Sequence, residues 1–195
     1  VKLTSFYAAP VCTPSRAQLM TGCYPQRVDL NIGWENCKYR PVVPSVLFPG
    51  DAKGLNPDEV TIANVLKKEG YATGMFGKWH LGDQPEFLPT RQGFDEFWGT
   101  PYSHDMWAKE LSKDFPPLPL LEGEKVIESD PDLFSLTRRT TDKFMDFIKS
   151  HQEESFFCYI PYNMPHRPVA ARDTFLNKRG LQRPEIKPEG QHNIK

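Results

Sequence analysis

No stretch of the 195 residues stays apolar for anything near the roughly 18 residues that a membrane-spanning helix requires. Charge of one sign is not in excess either: 24 Lys and Arg against 25 Asp and Glu leave a net charge of -1. That balance removes the electrostatic case for a nucleic-acid partner or an anionic membrane surface. Four cysteines stand at 12, 23, 37 and 158 with no C-x-x-C pair among them, so a zinc ribbon or a thioredoxin-type redox centre has no support. There is no internal repeat and no secretory leader pattern. The chain opens at Val1 without a Met and ends in the polar stretch Pro184 to Lys195. The expectation is an internal piece of a longer protein.

Aromatic residues, at 12%, exclude a disordered chain, and with 19 prolines they predict irregular connections pinned by large buried rings. The length suffices for one sizeable core. Periodicity and punctuation predict a strand over Val1–Ala9, then a helix over Pro14–Thr21 capped by Thr13 and ended by Gly22. The proline-rich stretch 23–57 reads as loop. A second helix is predicted over Val60–Glu69, with Ile62, Val65 and Leu66 on its apolar face and Gly70 as its stop. Tyr71–Phe76 follows as a short strand running into Gly77-Lys78-Trp79-His80. Residues 81–131 read as irregular, with Pro116-Pro117-Leu118-Pro119 as an extended connector. Leu133–His151 reads as the longest helix, with His151 meeting its terminal carbonyls. Phe156–Ile160 is a continuous apolar run, the pattern of a central strand covered on both faces, with Cys158 as a buried thiol. The predicted fold class is α/β: a mostly parallel or mixed central sheet with helices on both faces.

Candidate chemistry then falls just past strand ends, where open α/β sheets bind ligands: Cys12, Lys78 with His80, and His166. A Cys at a helix start sits in a field that favours anions, and Arg16, four residues on, lies about one turn away. A helix-start Cys without a role stays open on this spacing. A phosphatase-type thiolate loop needs Arg six residues after Cys, where Gln18 stands. Trp79 and Trp98 read as packing residues, and His104 as a surface residue without a catalytic role. Cys23 and Cys37 could bridge a loop in an exported protein.

The segment Pro10-Val11-Cys12-Thr13-Pro14-Ser15-Arg16-Ala17-Gln18-Leu19-Met20-Thr21-Gly22 resembles the first signature of the type I sulfatases. Gly70-Tyr71-Ala72-Thr73-Gly74-Met75-Phe76-Gly77-Lys78-Trp79-His80-Leu81-Gly82 resembles their second. Thr100-Pro101-Tyr102-Ser103-His104-Asp105 is similar to a segment of the arylsulfatase A type. The likeness runs from the first predicted strand to about His166. It implies an alkaline phosphatase/sulfatase-like fold, incomplete here, and an arylsulfatase-like sulfuric ester hydrolase.

By that resemblance Cys12 is oxidised by a separate maturation enzyme to formylglycine, whose hydrated gem-diol attacks sulfur. Arg16 would stabilise the diol as an alkoxide, and Lys78 would bridge the nucleophile and a sulfate oxygen. His80 would serve as the base in sulfate elimination. His166 would contact sulfate and protonate the leaving oxygen, and Ser103 would be a secondary sulfate contact. The resemblance also implies a Ca²⁺ or other divalent cation, with residue 12, as formylglycine, among its ligands. The family's other ligands are an Asp pair before the Cys motif and a later Asp-Asn-Gly. This chain has no Asp before Asp29 and no Asp-Asn-Gly. The 195 residues are therefore expected to be a partial catalytic domain, inactive alone, lacking the N-terminal metal-binding strand and the C-terminal part. The expected substrate is a sulfated small molecule or sulfated glycan, and the expected location exported: periplasmic, lysosomal or extracellular. A phosphonate or phosphodiester hydrolase of the same superfamily is the near alternative, and a non-catalytic sulfatase-derived binding protein the distant one.

Overall fold

The computed structural model describes residues 2, 4–31, 46–106 and 115–178. The first helix, α1 (Cys12–Thr21), starts from Val11, whose φ of 56° and ψ of 170° are a conformation normally left to glycine. Gly22 ends it in the left-handed region, its N–H donating to the Gln18 carbonyl at 2.8 Å. Thr13 does not cap this helix as expected. It lies inside the first turn, and its hydroxyl is drawn away to the His80 carbonyl.

The second helix, α2 (Ile62–Lys68), opens on a reciprocal capping box between Thr61 and Asn64. Its expected apolar face is turned outward, with Ile62 42% and Val65 50% exposed while Ala63 is fully buried. The cause is close docking through small groups. Thr61 donates to the Gln92 carbonyl at 2.7 Å, and a methyl placed on Gly93 would come within 2.5 Å of the Asn64 nitrogen. Bulky side chains have no room on that face.

Strand β1 (Ala72–Lys78) is flanked in parallel by β2 (Glu96–Thr100) and β5 (Phe156–Tyr159). Strands β3 (Pro119–Glu122) and β4 (Lys125–Ser129) extend the sheet antiparallel from β2, giving the order β4-β3-β2-β1-β5. The sheet is thus mixed. The region expected to be irregular contributes three of its strands. Pro119 occupies the first position of β3, where a missing N–H is tolerated, and Gly123, at φ 60°, makes the hairpin turn into β4. β5 is the edge of the described sheet and only half-buried, because β1 alone pairs it. The strand expected at 1–9 is not formed among the described residues 2 and 4–9. Phe6 and Tyr7 are 69% and 86% exposed, so the segment buries too little to hold it against the sheet, and the places beside β1 are taken by β2 and β5.

The longest helix, α3 (Leu133–Ser150), is capped by the Asp132 carboxylate, which accepts from Phe134 N–H at 3.1 Å. It packs on one face of the sheet, where Phe147 and Leu136 meet Phe76, Trp98 and Leu120. On the other face, Ala17 and Met20 of α1 and Ala63 of α2 join Met75, Phe97 and Leu121. Helices therefore cover both faces, as expected. A short helix, α4 (Asp173–Asn177), closes the described chain. At the end of α3 it is the His151 backbone N–H that meets the terminal carbonyls. Its ring instead pairs Glu154 at 2.6 Å and Glu96 at 3.5 Å, because both carboxylates lie within reach. No described helix is long and apolar enough to cross a membrane.

Candidate active site

Because β1, β2 and β5 run parallel, their carboxyl ends open on one edge. The sheet's hydrogen bonding runs past the strand ends there. Lys78 N–H donates to the Pro161 carbonyl at 2.8 Å, Trp79 N–H to Thr100 at 2.9 Å and His80 N–H to Pro101 at 2.9 Å. This lacing carries Lys78 and His80 from β1, Ser103 to Asp105 from beyond β2, and Asn163 to His166 from beyond β5 to the same place. Asn163 ties the last loop down, its amide donating to Thr100 Oγ1 at 3.0 Å.

Helix α1 points its N-terminus at this edge. Arg16 fixes the approach: Nη1 donates to the Lys78 carbonyl and lies 3.4 Å from the Tyr159 hydroxyl of β5. Cys12, first residue of the helix and partly exposed, then lies close enough to the Lys78 ammonium for the two to interact electrostatically. The first turn of α1 carries no acidic residue.

Lys78 is only 2% exposed, and its Nζ donates to Ser103 Oγ at 2.9 Å. Among the described residues no carboxylate lies within ion-pair distance of it. Desolvation pulls its pKa down from 10.5 to about 8; Cys12 opposes the fall, Arg16 adds to it, and the more distant Asp105 carboxylate opposes it. An ammonium placed this way has no directly paired anion.

His80 is wholly buried, with a backbone φ of 66°, and burial followed by the Lys78 and Arg16 charges pushes its pKa well below 6.5. Its Nε2 lies 2.9 Å from the Leu47 carbonyl, while Nδ1 is buried without a partner. His166 is more open, its side chain 43% exposed, with Nδ1 2.7 Å from the Arg167 carbonyl and 4.0 Å from Asp105 Oδ1. His104 stacks edge-on against it at 5.6 Å. His104 was expected at the surface and is fully buried, because its Nε2 reaches the Pro168 carbonyl at 3.1 Å and draws the ring under the His166 loop. Burial lowers its pKa to about 4.

All six residues singled out from the sequence, Cys12, Arg16, Lys78, His80, Ser103 and His166, thus meet at one edge. A sequence profile of the sulfatases matches residues 1–189. The chain belongs to the sulfatase family. Its relatives include human arylsulfatase A, 36% identical over 92% of this chain and 37% of that protein. Mouse N-acetylgalactosamine-6-sulfatase is 34% identical over 88% of this chain and 34% of its own length. Among solved structures, the PsFucS1 sulfatase from Pseudoalteromonas sp. superposes with a TM-score of 0.71 at 24% identity, covering 95% of this chain and 40% of that one. The chain therefore spans about a third of the length of the curated sulfatases it matches.

The metal expected of a sulfatase does not fit the residues described. Among them, no group of three or more His, Cys, Asp or Glu side chains is placed to hold an ion. Beside Cys12 stand two cations, Lys78 and Arg16, where a hard divalent ion needs several oxygen ligands.

Four neighbours of the site were not found in the sequence: Thr13 as a contact of His80, Tyr159, Asp105 and the buried His104. Each acts across a long sequence separation, 143 residues for Tyr159 and Arg16, so no local spacing signals it. Trp79 and Trp98 are buried packing residues, Trp79 donating its indole N–H to the Phe87 carbonyl at 2.8 Å. Cys158 is half-buried rather than fully buried, because it lies on the edge strand, and desolvation still raises its thiol to about 12. Cys23 is half-buried beside the Thr21 carbonyl, and Cys37 lies outside the described residues.

Proposed function

We propose that the protein hydrolyses sulfate esters, releasing inorganic sulfate, and that this chain supplies the nucleophile and the sulfate-holding half of a catalytic domain. The observation that carries this reading is Lys78: a buried ammonium, desolvated and without a carboxylate partner among the described residues, held against Cys12 at a helix N-terminus. Such a place takes an anion.

The residue at 12 acts as formylglycine, produced from the Cys12 thiol by a maturation enzyme. As a hydrate it offers one hydroxyl to attack sulfur and a second whose deprotonation lets the carbon–oxygen bond break and sulfate leave, so one hard step becomes two. Lys78, with Ser103 beside it, holds a sulfate oxygen and stabilises the charge that grows there. Arg16 favours the ionised form of the attacking oxygen. His166, the exposed imidazole at the rim, gives the departing alcohol its proton, and the neutral His80 accepts one during elimination. The substrate class is a sulfated small molecule or sulfated glycan, in keeping with the amino-sugar sulfate named for the mouse relative. The family resemblance further supports an exported protein.

The test uses the full-length protein matured with its own oxidising enzyme and offered an aryl sulfate and an aryl phosphodiester. Sulfate turnover is expected to dominate, and Lys78→Met should lower it by about 10²–10³-fold. Preferential phosphodiester hydrolysis would sink the assignment in favour of the superfamily's other chemistry.

A further inference from the structure

Three buried groups beside residue 12 form a closed hydrogen-bonded ring. The Thr13 hydroxyl donates to the His80 carbonyl at 3.1 Å. The His80 ring meets the Leu47 carbonyl through Nε2 at 2.9 Å. The Leu47 N–H donates back to Thr13 Oγ1 at 3.2 Å. Thr13 and His80 are 0% exposed and Leu47 is 3% exposed, so water does not compete for these bonds.

The chemistry of the donors fixes the ring. A carbonyl oxygen can only accept, so Nε2 must carry the hydrogen. With the imidazole neutral, the lone pair is then on Nδ1, the atom that is buried and has no partner. The Thr13 hydroxyl has one hydrogen and spends it on His80, while its oxygen accepts from Leu47. The same side chain thereby holds the His80 main chain, in its unusual φ of 66°, and the N–H of Leu47, the residue whose carbonyl meets the ring.

We propose that Thr13 is a positioning residue for His80: by fixing the backbone of Leu47, it locks the imidazole in the Nε2–H tautomer and leaves Nδ1 as the ring's proton-accepting atom. The consequence for turnover rests on the sulfate ester reading above, in which His80 accepts a proton; the tautomer does not. Thr13 adjoins the nucleophile position in sequence, so the same lock couples the start of α1 to the base. A simple packing role for Thr13 would be served equally by Val, which keeps the branch and removes the hydroxyl.

The experiment is ¹⁵N–¹H correlation of the histidine rings in the full-length protein, with the His80 signals assigned by their loss in His80→Asn, on wild type, Thr13→Val and Thr13→Ser. The wild type is expected to show a single neutral ring with hydrogen on Nε2. Thr13→Val should broaden or mix the tautomers and lower kcat on an aryl sulfate at least tenfold with KM little changed, and Thr13→Ser should restore both. A wild-type ring with hydrogen on Nδ1 overturns the proposal whether or not Thr13→Val folds. So does a Thr13→Val protein with unchanged ring signals. If the full-length protein turns over no sulfate ester, the functional assignment fails, and the ring spectra still decide the lock.

Discussion

Lys78 sits where a lysine is costly to keep. Its ammonium has traded water for one hydroxyl, and a buried cation with no carboxylate in direct contact weakens the fold that holds it. Lys78→Met is therefore expected to raise stability by roughly 1–3 kcal/mol in urea unfolding while lowering turnover. Equal or lower stability would mean that the ammonium is better compensated than its surroundings indicate. His104 carries a second prediction. The unfolded imidazole takes a proton near 6.5, the folded one near 4. Between those values the unfolded chain binds more protons, so stability rises with pH and is lost as pH falls from 6.5 toward 4, by up to ~3 kcal/mol. His104→Gln, which retains a donor for the Pro168 carbonyl, should lose less stability between pH 7 and pH 5 than wild type. An unchanged pH dependence would count against burial as the cause. At this scale the sequence was most informative where residues came in long signatures, as with Cys12, Arg16, Lys78 and His80; Ser103 and His166, read from shorter resemblances, lie at the same edge. It was silent where a role depends on burial or on a distant partner. His104 looked like a surface imidazole because nothing local reports that the Pro168 carbonyl, 64 residues away, pulls it under a loop.

The elements owe their positions to two glycines at the heart of the sheet. Gly77 and Gly99 face each other across β1 and β2, and a methyl on Gly99 would lie 1.8 Å from the Gly77 carbonyl oxygen. That contact lets the strand ends close up, which is what brings Lys78 and Ser103 together. Gly99→Ala is expected to cost about 3 kcal/mol or more, or to prevent folding. Gly22→Ala, with nothing within 4 Å but a φ of 68°, should cost only about 1–2 kcal/mol. Urea unfolding followed by far-ultraviolet circular dichroism compares the two, and equal losses would contradict the steric argument. Helix α1 was legible from Pro14 in its first turn and Gly22 as its stop, and α3 from its apolar spacing, though the expected Thr13 cap of α1 does not form. β2, β3 and β4 were not, since short strands flanked by prolines give little periodic signal. Segment 4–9 shows the converse: its aromatic rings stay in solvent, and no described strand pairs with it. Helix α2 shows a third limit, because its docking face is chosen by small residues and not by Ile62 and Val65.

At the scale of the molecule, the chain spans about a third of the length of human arylsulfatase A and gathers Lys78 and Arg16 beside Cys12. Fold class was readable from the alternation of helices and strands. A metal centre was not, since among the described residues no group of three or more His, Cys, Asp or Glu side chains gathers to hold an ion. The central claim rests on residue 12. It is tested most directly by mass spectrometry of the tryptic peptide covering residues 3–16, taken from the protein as made in its native host. The account predicts a peptide lighter than the encoded one, with the Cys12 thiol replaced by an aldehyde that a hydrazide reagent captures. A peptide that retains its thiol in full and ignores the hydrazide would contradict it.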